Sequence, residues 1–366
     1  MKLRAFVMVL AGLLAGCSGG RPEPVFHADE NPPRLSDWGA VAVRDGRLVL
    51  GEGVLAYDLN TPLFTDYAHK LRTVWSPGAP APYQEESAFD LPVGTVITKT
   101  FYYPEESGRV LKAASLTPVN AARGLDLSRH RLIETRVLVR RADGWHAVSY
   151  LWDEDESDAA LKRTGAVVPL TMAGIGESRE FSYIVPDTNQ CAACHAHDAT
   201  AKRIEPLGPR AGQLNRPYRY AEGEGNQLAR WVRAGLIAPP PAAPRRDVAW
   251  DDPAAPLDAR ARSYLQANCA HCHNPSGPAD TSGLDLTFSA DGAALGRCKP
   301  PIAAGSGTGG RRFGIVPGAP GESILNFRVA SDDPAAMMPE FGRSLVHEEG
   351  RELLDAWVAA MTGTCG

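Results

Sequence analysis

Two short segments of this chain repeat one pattern, CxxCH: CAACH at 191–195 and CAHCH at 269–273. Each segment contains two thiols and an imidazole within five residues. If the segment forms a helical turn, all three groups lie close together. The pattern is the attachment sequence of c-type haem, in which the thiols form thioethers and the histidine binds the iron. The alternatives are a zinc site, which needs further ligands, and a dithiol redox pair, which needs no histidine.

Two complete copies favour haem, and the sequence therefore predicts two covalently bound haem c groups. The predicted thioether residues are Cys191, Cys194, Cys269 and Cys272. The predicted proximal ligands of the two irons are His195 and His273.

The first residues have the pattern of an export signal. Lys2 and Arg4 precede an apolar stretch that is too short to span a bilayer, which is typical of a signal peptide. The stretch ends in LAGC, which resembles the lipobox of bacterial lipoproteins, so we expect residues 1–16 to be removed and Cys17 to be lipidated. Residues 17–34 would then form a tether on the periplasmic side of the cell envelope. By the same resemblance, Ser18 favours the outer membrane.

Seven cysteines leave two unassigned once Cys17 and the two pentapeptides are set aside. The remaining pair, Cys298 and Cys365, is a candidate disulfide in an oxidising compartment. The alternative is two unrelated buried thiols. The overall charge excludes one class of partner, because 38 basic and 43 acidic residues with no basic cluster do not suit nucleic acid.

Residues 35–186 have the pattern of a β-rich domain. The segments 93–103, 131–152 and 180–185 are rich in Val, Ile, Thr and aromatic residues, and Asp143-Gly144 predicts a hairpin turn. The acidic run 153–158 lacks the spacing of a calcium loop and is typical of a solvated turn.

The pattern changes after residue 186 to apolar residues at helical spacing. Helices are predicted at 226–236, from Asp258 into the second pentapeptide, and at the end of the chain with Ser344 as N-cap. The predicted fold class is therefore α+β, with a first haem module at 187–245 and a second at 246–366, both mainly helical.

The second pentapeptide has a candidate for the distal ligand of its iron. Residues 256–362 resemble class I cytochrome c, in which a methionine in a Met-Pro segment precedes the last helix. The resemblance implies Met338 as ligand, with Met337 as fallback, and a contact between Tyr264 and Trp357 where the helices cross. His347 is interpreted as a surface residue of the last helix.

The first pentapeptide lacks such a local candidate. No methionine or histidine lies between His197 and His271, and His197 is too close to His195 to reach the opposite face of the same haem. Three alternatives remain open: an unusual donor such as tyrosine, lysine or asparagine, an open coordination position, or a ligand from the β-rich domain. The candidates in that domain are Met172, His69, His130 and His146.

Taken as a whole, the chain resembles a family of bacterial dihaem c-type cytochromes that have an N-terminal domain of unassigned function. The resemblance rests on NTPLFTDYAHKLRTVW at 60–75, LPVGTVITKTFYY at 91–103, GWHAVSYLWDED at 144–155, IEPLGPRAGQLNRPYRY at 204–220, and both pentapeptides. It implies a periplasmic redox partner, and a parallel β-helix repeat protein is one candidate.

These patterns predict a lipid-anchored periplasmic electron-transfer protein. The main alternative is an enzyme that resembles dihaem peroxidases and reduces peroxide at the first haem. A third hypothesis is that the β-rich domain binds a substrate whose electrons the haems remove.

Overall fold

The structure is a computed structural model that describes residues 20–112, 124–174, 178–196, 203–220, 222–302 and 305–366. The predicted signal peptide and the predicted lipidation site, Cys17, lie outside these ranges, as does His197. No helix in the described part of the chain is long and apolar enough to cross a membrane.

The described ranges contain fourteen β-strands. In chain order they are β1 Val41–Arg44, β2 Arg47–Leu50, β3 Leu55–Tyr57, β4 His69–Trp75, β5 Val96–Glu106, β6 Arg109–Leu111, β7 Leu125–Asp126, β8 His130–Arg141, β9 Gly144–Trp152, β10 Ala159–Leu161, β11 Ala166–Ala173, β12 Arg179–Val185, β13 Pro217–Tyr220 and β14 Gly223–Asn226.

Nine of these strands form the main sheet, in which the long strand β5 is central. The strand order is β10-β9-β8-β5-β6-β11-β12, and β4 pairs with β5 and β3 with β4. The predicted hairpin is confirmed: β8 and β9 pair antiparallel, with Arg141 opposite Gly144. Gly144 has a φ of +140°, a backbone conformation that residues with a Cβ rarely adopt.

Apolar side chains cover both faces of the main sheet, as successive residues of β8 show. Val137 and Val139 belong to an apolar cluster with Trp38, whereas Leu138 packs against a different cluster that contains Trp231. Successive side chains of a strand point to opposite faces, so each face of β8 has its own apolar neighbours. A fully buried valine contributes about 2 kcal/mol of hydrophobic free energy.

Part of the predicted tether and the acidic run are fixed to this domain. The Val25 amide donates to the Trp38 carbonyl oxygen at 2.9 Å. Arg34 forms ion pairs with Asp153 and, at 3.2 Å, with Asp158. The acidic turn therefore anchors the chain before the first strand.

After residue 186 the described ranges contain six α-helices of four to twelve residues. They are α1 Thr188–His195, α2 Ala211–Leu214, α3 Gln227–Arg233, α4 Leu257–Asn268, α5 Ile324–Ala330 and α6 Glu348–Ala359. Single turns of 3-10 helix occur at Leu35–Trp38, Asp280–Ser282, Gly305–Thr308 and Pro320–Glu322.

This architecture corrects the predicted fold class. The described chain is dominated by its sheets, and the region after residue 186 consists of short helices joined by turns and extended segments. It is not a mainly helical region with two cytochrome c-like modules. Proline and glycine interrupt the helical pattern; for example, α3 ends shortly before Gly235, whose φ is +72°.

Helices α4 and α6 cross at Tyr264. α4 ends at Asn268, before the second pentapeptide, and α6 begins at Glu348 with His347 in the cap position, so Ser344 is not its N-cap. Tyr264 lies over Gly350, whereas the indole nitrogen of Trp357 donates to Asp258 at 2.8 Å. Tyr264 and Trp357 belong to the same apolar cluster.

The loop between β3 and β4 binds the C-terminal region through buried polar contacts. The side-chain oxygen of Asn268 accepts a hydrogen bond from the Phe64 amide at 2.8 Å. The carboxylate of Asp66 accepts hydrogen bonds from the amides of Ser344 and Leu345, both at 2.7 Å. Burial raises the pKa of Asp66 to about 6, while the two amides oppose that shift. These bonds fix the segment before α6 against the main sheet.

Cys298 and Cys365 form a disulfide, with Cα atoms 5.1 Å apart. It joins the final residues of the chain to the loop between α4 and α5.

Candidate functional site

A cavity of about 1360 Å³ lies between the main sheet and the C-terminal region. Its walls are formed by β4, β5, β8 and β9 on one side. The opposite walls come from α1, the loop 203–210, the turn after α4 and the loop 332–344. Residues far apart in sequence therefore meet around one space.

The first pentapeptide lies in α1 and borders this cavity with Cys191, Cys194 and His195. Asp187 begins the helix with a capping box: its side chain accepts the Gln190 amide, and the Gln190 side chain accepts the Asp187 amide. Residues three apart on a helix share a face, so both thiols point the same way. The Nδ1 of His195 lies 2.7 Å from the carbonyl oxygen of Glu205, which orients the ring.

Burial raises the pKa of both thiols of the first pentapeptide. For Cys191 and for Cys194 desolvation is the largest cause, and the charge of Arg136 opposes it. Since a thiol ordinarily has a pKa of about 8.5, both are protonated at neutral pH. They are therefore not activated nucleophiles in this conformation.

The second pentapeptide forms a turn after α4. Cys269 packs against the apolar cluster of α4 and α6, and burial raises the pKa of Cys269 and of Cys272 to about 12. The Nδ1 of His273 lies 2.9 Å from Oγ of Ser282, and burial lowers the pKa of this buried imidazole to about 4. His271 and its neighbours, rather than the cysteines, border the cavity.

The two pentapeptides are neighbours in space. Cys194 contributes to the upward shift in the pKa of Cys272, so the two sulfur atoms are close enough for their charges to interact. The fold thus places Cys272, which does not border the cavity, near Cys194, which does.

The predicted methionine ligands lie in the loop before α6. Met337 borders the cavity, whereas Met338 does not. The backbone of Met338 is fixed on both sides: its amide donates to the Arg328 carbonyl oxygen at 2.9 Å, and its carbonyl oxygen accepts from Arg343 at 2.8 Å.

The candidates from the β-rich domain are dispersed. His146 borders the cavity and lies 2.9 Å from Asp143. Met172 is buried in a separate apolar cluster, His69 stacks on Tyr102, and the Nδ1 of His130 lies 2.7 Å from the Asp126 carbonyl oxygen. The structure does not gather these side chains around either pentapeptide.

Comparisons of the chain with family models, with curated proteins and with solved structures find no match. Within the described ranges, no three or more His, Cys, Asp or Glu side chains come together in a group that could hold a metal ion. The predicted membership of the dihaem c-type cytochromes is corrected accordingly, because neither a match nor the observed architecture supports it. The prediction of two covalently bound haem c groups is likewise not supported.

Sequence reasoning missed the cationic side chains in the sheet wall of the cavity. Arg72 of β4, Lys99 of β5 and Arg136 of β8 border the cavity, next to the first pentapeptide. The signal was present in HKLRTVW, VITKT and LIETRV, where charged residues alternate with apolar ones inside strands. A strand with one solvated face gives the same alternation, so the pattern did not reveal that these cations line a cavity.

Proposed function

We propose that this protein carries out electron transfer on the periplasmic side of the cell envelope, anchored by a lipid on Cys17. In this proposal, the redox centre is built on the sulfur atoms of Cys191 and Cys194, with the second pentapeptide as its neighbour. The observation that carries the proposal is the proximity of Cys194, which borders the cavity, to Cys272 of the second pentapeptide.

The pairing of the described cysteines sets the four cysteines of the pentapeptides apart from the other two. Cys298 and Cys365 form a disulfide, whereas Cys191, Cys194, Cys269 and Cys272 are not in disulfides. Disulfides persist in oxidising compartments, where cysteine pairs that stay unjoined need a chemical reason. Participation in a redox centre is such a reason.

The surroundings of the first pentapeptide also suit electron transfer. The cavity gives a partner or a bound group access to Cys194 and His195. The neighbouring guanidinium of Arg136 stabilises negative charge that arrives with an electron. His195 and His273 are each oriented through Nδ1, so both rings are held in fixed positions.

The test begins with protein purified from the membranes of an expressing bacterium. Its intact mass and its thiol content under denaturing conditions identify what the four cysteine sulfurs carry. Absorption spectra during a potentiometric titration then measure electron uptake. We expect a reversible change that is lost in Cys191→Ser/Cys194→Ser and retained in the matched control Cys298→Ser/Cys365→Ser. A wild-type protein that takes up no electrons reversibly would refute the proposal.

The proposed location has a separate test. Cys17→Ser should move the protein from the membrane fraction to the soluble periplasmic fraction, and the mass of the wild type should include acyl chains. A wild-type chain that begins elsewhere or lacks acyl chains would contradict the lipid anchor without affecting the redox test.

A further inference from the structure

Three cations lie side by side on one face of the main sheet. Arg72 of β4 is directly opposite Lys99 of β5, and Lys99 is directly opposite Arg136 of β8. Directly opposite side chains have Cβ atoms about 5 Å apart, and like charges in such positions destabilise a sheet. We call Arg72, Lys99 and Arg136 the cationic row. All three side chains border the cavity.

The acidic residues near the cationic row neutralise it only in part. Arg72 pairs with Asp58 at 2.8 Å, and Nε of Arg136 contacts both carboxylate oxygens of Glu134, at 3.0 and 3.1 Å. Lys99 has no ion pair within the described ranges; its ammonium group lies 4.9 Å from the centre of the Phe101 ring. When Lys99 is protonated, the row therefore has more positive than negative charge.

One donor of the row is left without an acceptor. The side chain of Arg72 is 5% exposed, and its Nη2 is buried with no hydrogen-bond partner among the described residues. An unsatisfied buried donor costs about 1–3 kcal/mol, and more when it is charged. Arg72 also forms part of the cavity wall, so an acceptor that enters the cavity lies beside a guanidinium with unused hydrogen-bonding capacity.

The charge state of Lys99 agrees with this arrangement. Burial, followed by the charges of Arg72 and Arg136, lowers the pKa of Lys99 well below its usual range. An anion beside the amine would oppose this shift and favour the protonated, charged form. The row is thus unfavourable by itself and becomes favourable when negative charge is added.

We propose that the cationic row binds a small anion with several acidic oxygens, through the Arg72 guanidinium, the Lys99 ammonium group and the Arg136 guanidinium. Carboxylate and phosphate groups share this chemistry, and arginine offers planar pairs of donors to both. The site lies beside Cys191 and Cys194, since Arg136 influences the ionisation of both thiols. It does not depend on the proposed electron transfer.

The experiment measures binding of citrate and of pyrophosphate to the purified full-length protein by isothermal titration calorimetry, at low and at high salt. Thermal unfolding with and without each anion gives a second measurement. The variants are Lys99→Met, which keeps the apolar stem without the charge, and Arg72→Gln. The control is Arg140→Gln, because Arg140 also borders the cavity from β8 but pairs with the exposed Asp90 at 3.8 Å.

We expect one or both anions to bind, more weakly at high salt, and to raise the Tm; which anion binds decides between carboxylate and phosphate chemistry. Lys99→Met should weaken binding at least ten-fold, because it removes the amine that is protonated beside the anion. It should raise the Tm of the anion-free protein, because a thioether costs less to bury between two guanidinium groups than an amine. Arg140→Gln should leave the Kd within two-fold. The Lys99→Met result keeps the test decisive should Arg72→Gln fail to fold.

Two results would overturn the inference: no salt-sensitive binding of either anion, or equal weakening in Lys99→Met and Arg140→Gln. Binding is measured without a redox assay. A protein that takes up no electrons but binds citrate would therefore refute the electron-transfer proposal alone.

Discussion

The imidazole ring of His347 lies flat against the phenyl ring of Phe64, with centroids 4.2 Å apart and planes 9° apart. The Nδ1 of His347 also lies 3.0 Å from the hydroxyl of Tyr264. The ring thus joins the loop between β3 and β4 to both crossing helices, α4 and α6. Burial of the ring is the main reason that the pKa of His347 is lowered to about 4.

This contact predicts that acid weakens the fold. An unfolded histidine has a pKa of about 6.5, so the unfolded chain takes up a proton first as the pH falls. The contribution of His347 is present above pH 6.5 and is lost between about pH 6.5 and 4, by up to about 3 kcal/mol. Urea unfolding at several pH values measures it.

His347→Phe keeps an aromatic ring against Phe64 but takes up no proton, so its free energy of unfolding should fall less between pH 6.5 and 4 than that of the wild type. His146→Gln is the control, because His146 is a surface side chain paired with Asp143. If the free energy of unfolding depended on pH in the same way for His347→Phe and the wild type, this would argue against a neutral, buried imidazole.

His347 also illustrates what the sequence could predict. The apolar periodicity from Leu353 to Val358 is a local property, and it correctly placed the final helix. The expectation that His347 is a surface residue was wrong, because its burial depends on Phe64 and Tyr264, which are remote in sequence. Local pattern specifies a helix face but not which residues cover its first turn.

The cavity also combines features that local sequence predicts with features that depend on contacts between residues remote in sequence. The strands that hold Lys99 and Arg136 were predictable from their β-branched residues, as was the hairpin of β8 and β9. Arg72, Lys99 and Arg136 lie opposite one another because of the register between β4, β5 and β8. That register is set by pairing between strands that are remote in sequence. The pentapeptides were visible in the sequence, but the proximity of Cys194 to Cys272 depends on loops without periodicity.

The crossing of α4 and α6 predicts a strict requirement for glycine at position 350. A Cβ there would lie 2.5 Å from Cζ of Tyr264, closer than real Cβ contacts, so the helices would have to separate. Gly350→Ala should lower the free energy of unfolding by about 1–3 kcal/mol. Gly321→Ala is the control, since a Cβ added at Gly321 would have no described residue within 4 Å apart from its chain neighbours. Urea unfolding that fails to separate the two variants would contradict close packing at this crossing.

The disulfide predicts a large effect of reduction on stability. Cys298 and Cys365 are 67 residues apart, and closing a loop of that length restricts the unfolded chain by about 4 kcal/mol in the entropic treatment. The free energy of unfolding of Cys298→Ser/Cys365→Ser should be lower than that of the wild type by about this amount. Dithiothreitol should destabilise the wild type but not the variant. If dithiothreitol lowered the midpoint of the variant as much, the remaining cysteines would be responsible.

Arg343 holds in place the loop between α5 and α6, which contributes Met337 to the cavity wall. Its side chain is buried, and Nη2 donates to the carbonyl oxygens of Ser331 and Met338, both at 2.8 Å. Nη1 donates to the Leu345 carbonyl oxygen at 3.2 Å. One guanidinium therefore fixes three points of the loop between α5 and α6.

Arg343→Met removes these donors and leaves buried carbonyl groups without partners, each at a cost of about 1–3 kcal/mol. We expect a total loss of at least about 3 kcal/mol by urea unfolding, together with faster proteolysis of the loop 331–345. Arg343→Lys should recover only part of the loss, because one ammonium group cannot span the three acceptors. Arg351→Met is the control: Arg351 pairs with Glu348 and Asp355 on the surface of α6, where such pairs contribute about 0–1 kcal/mol. Equal losses in Arg343→Met and Arg351→Met would show that the buried guanidinium does not organise the wall.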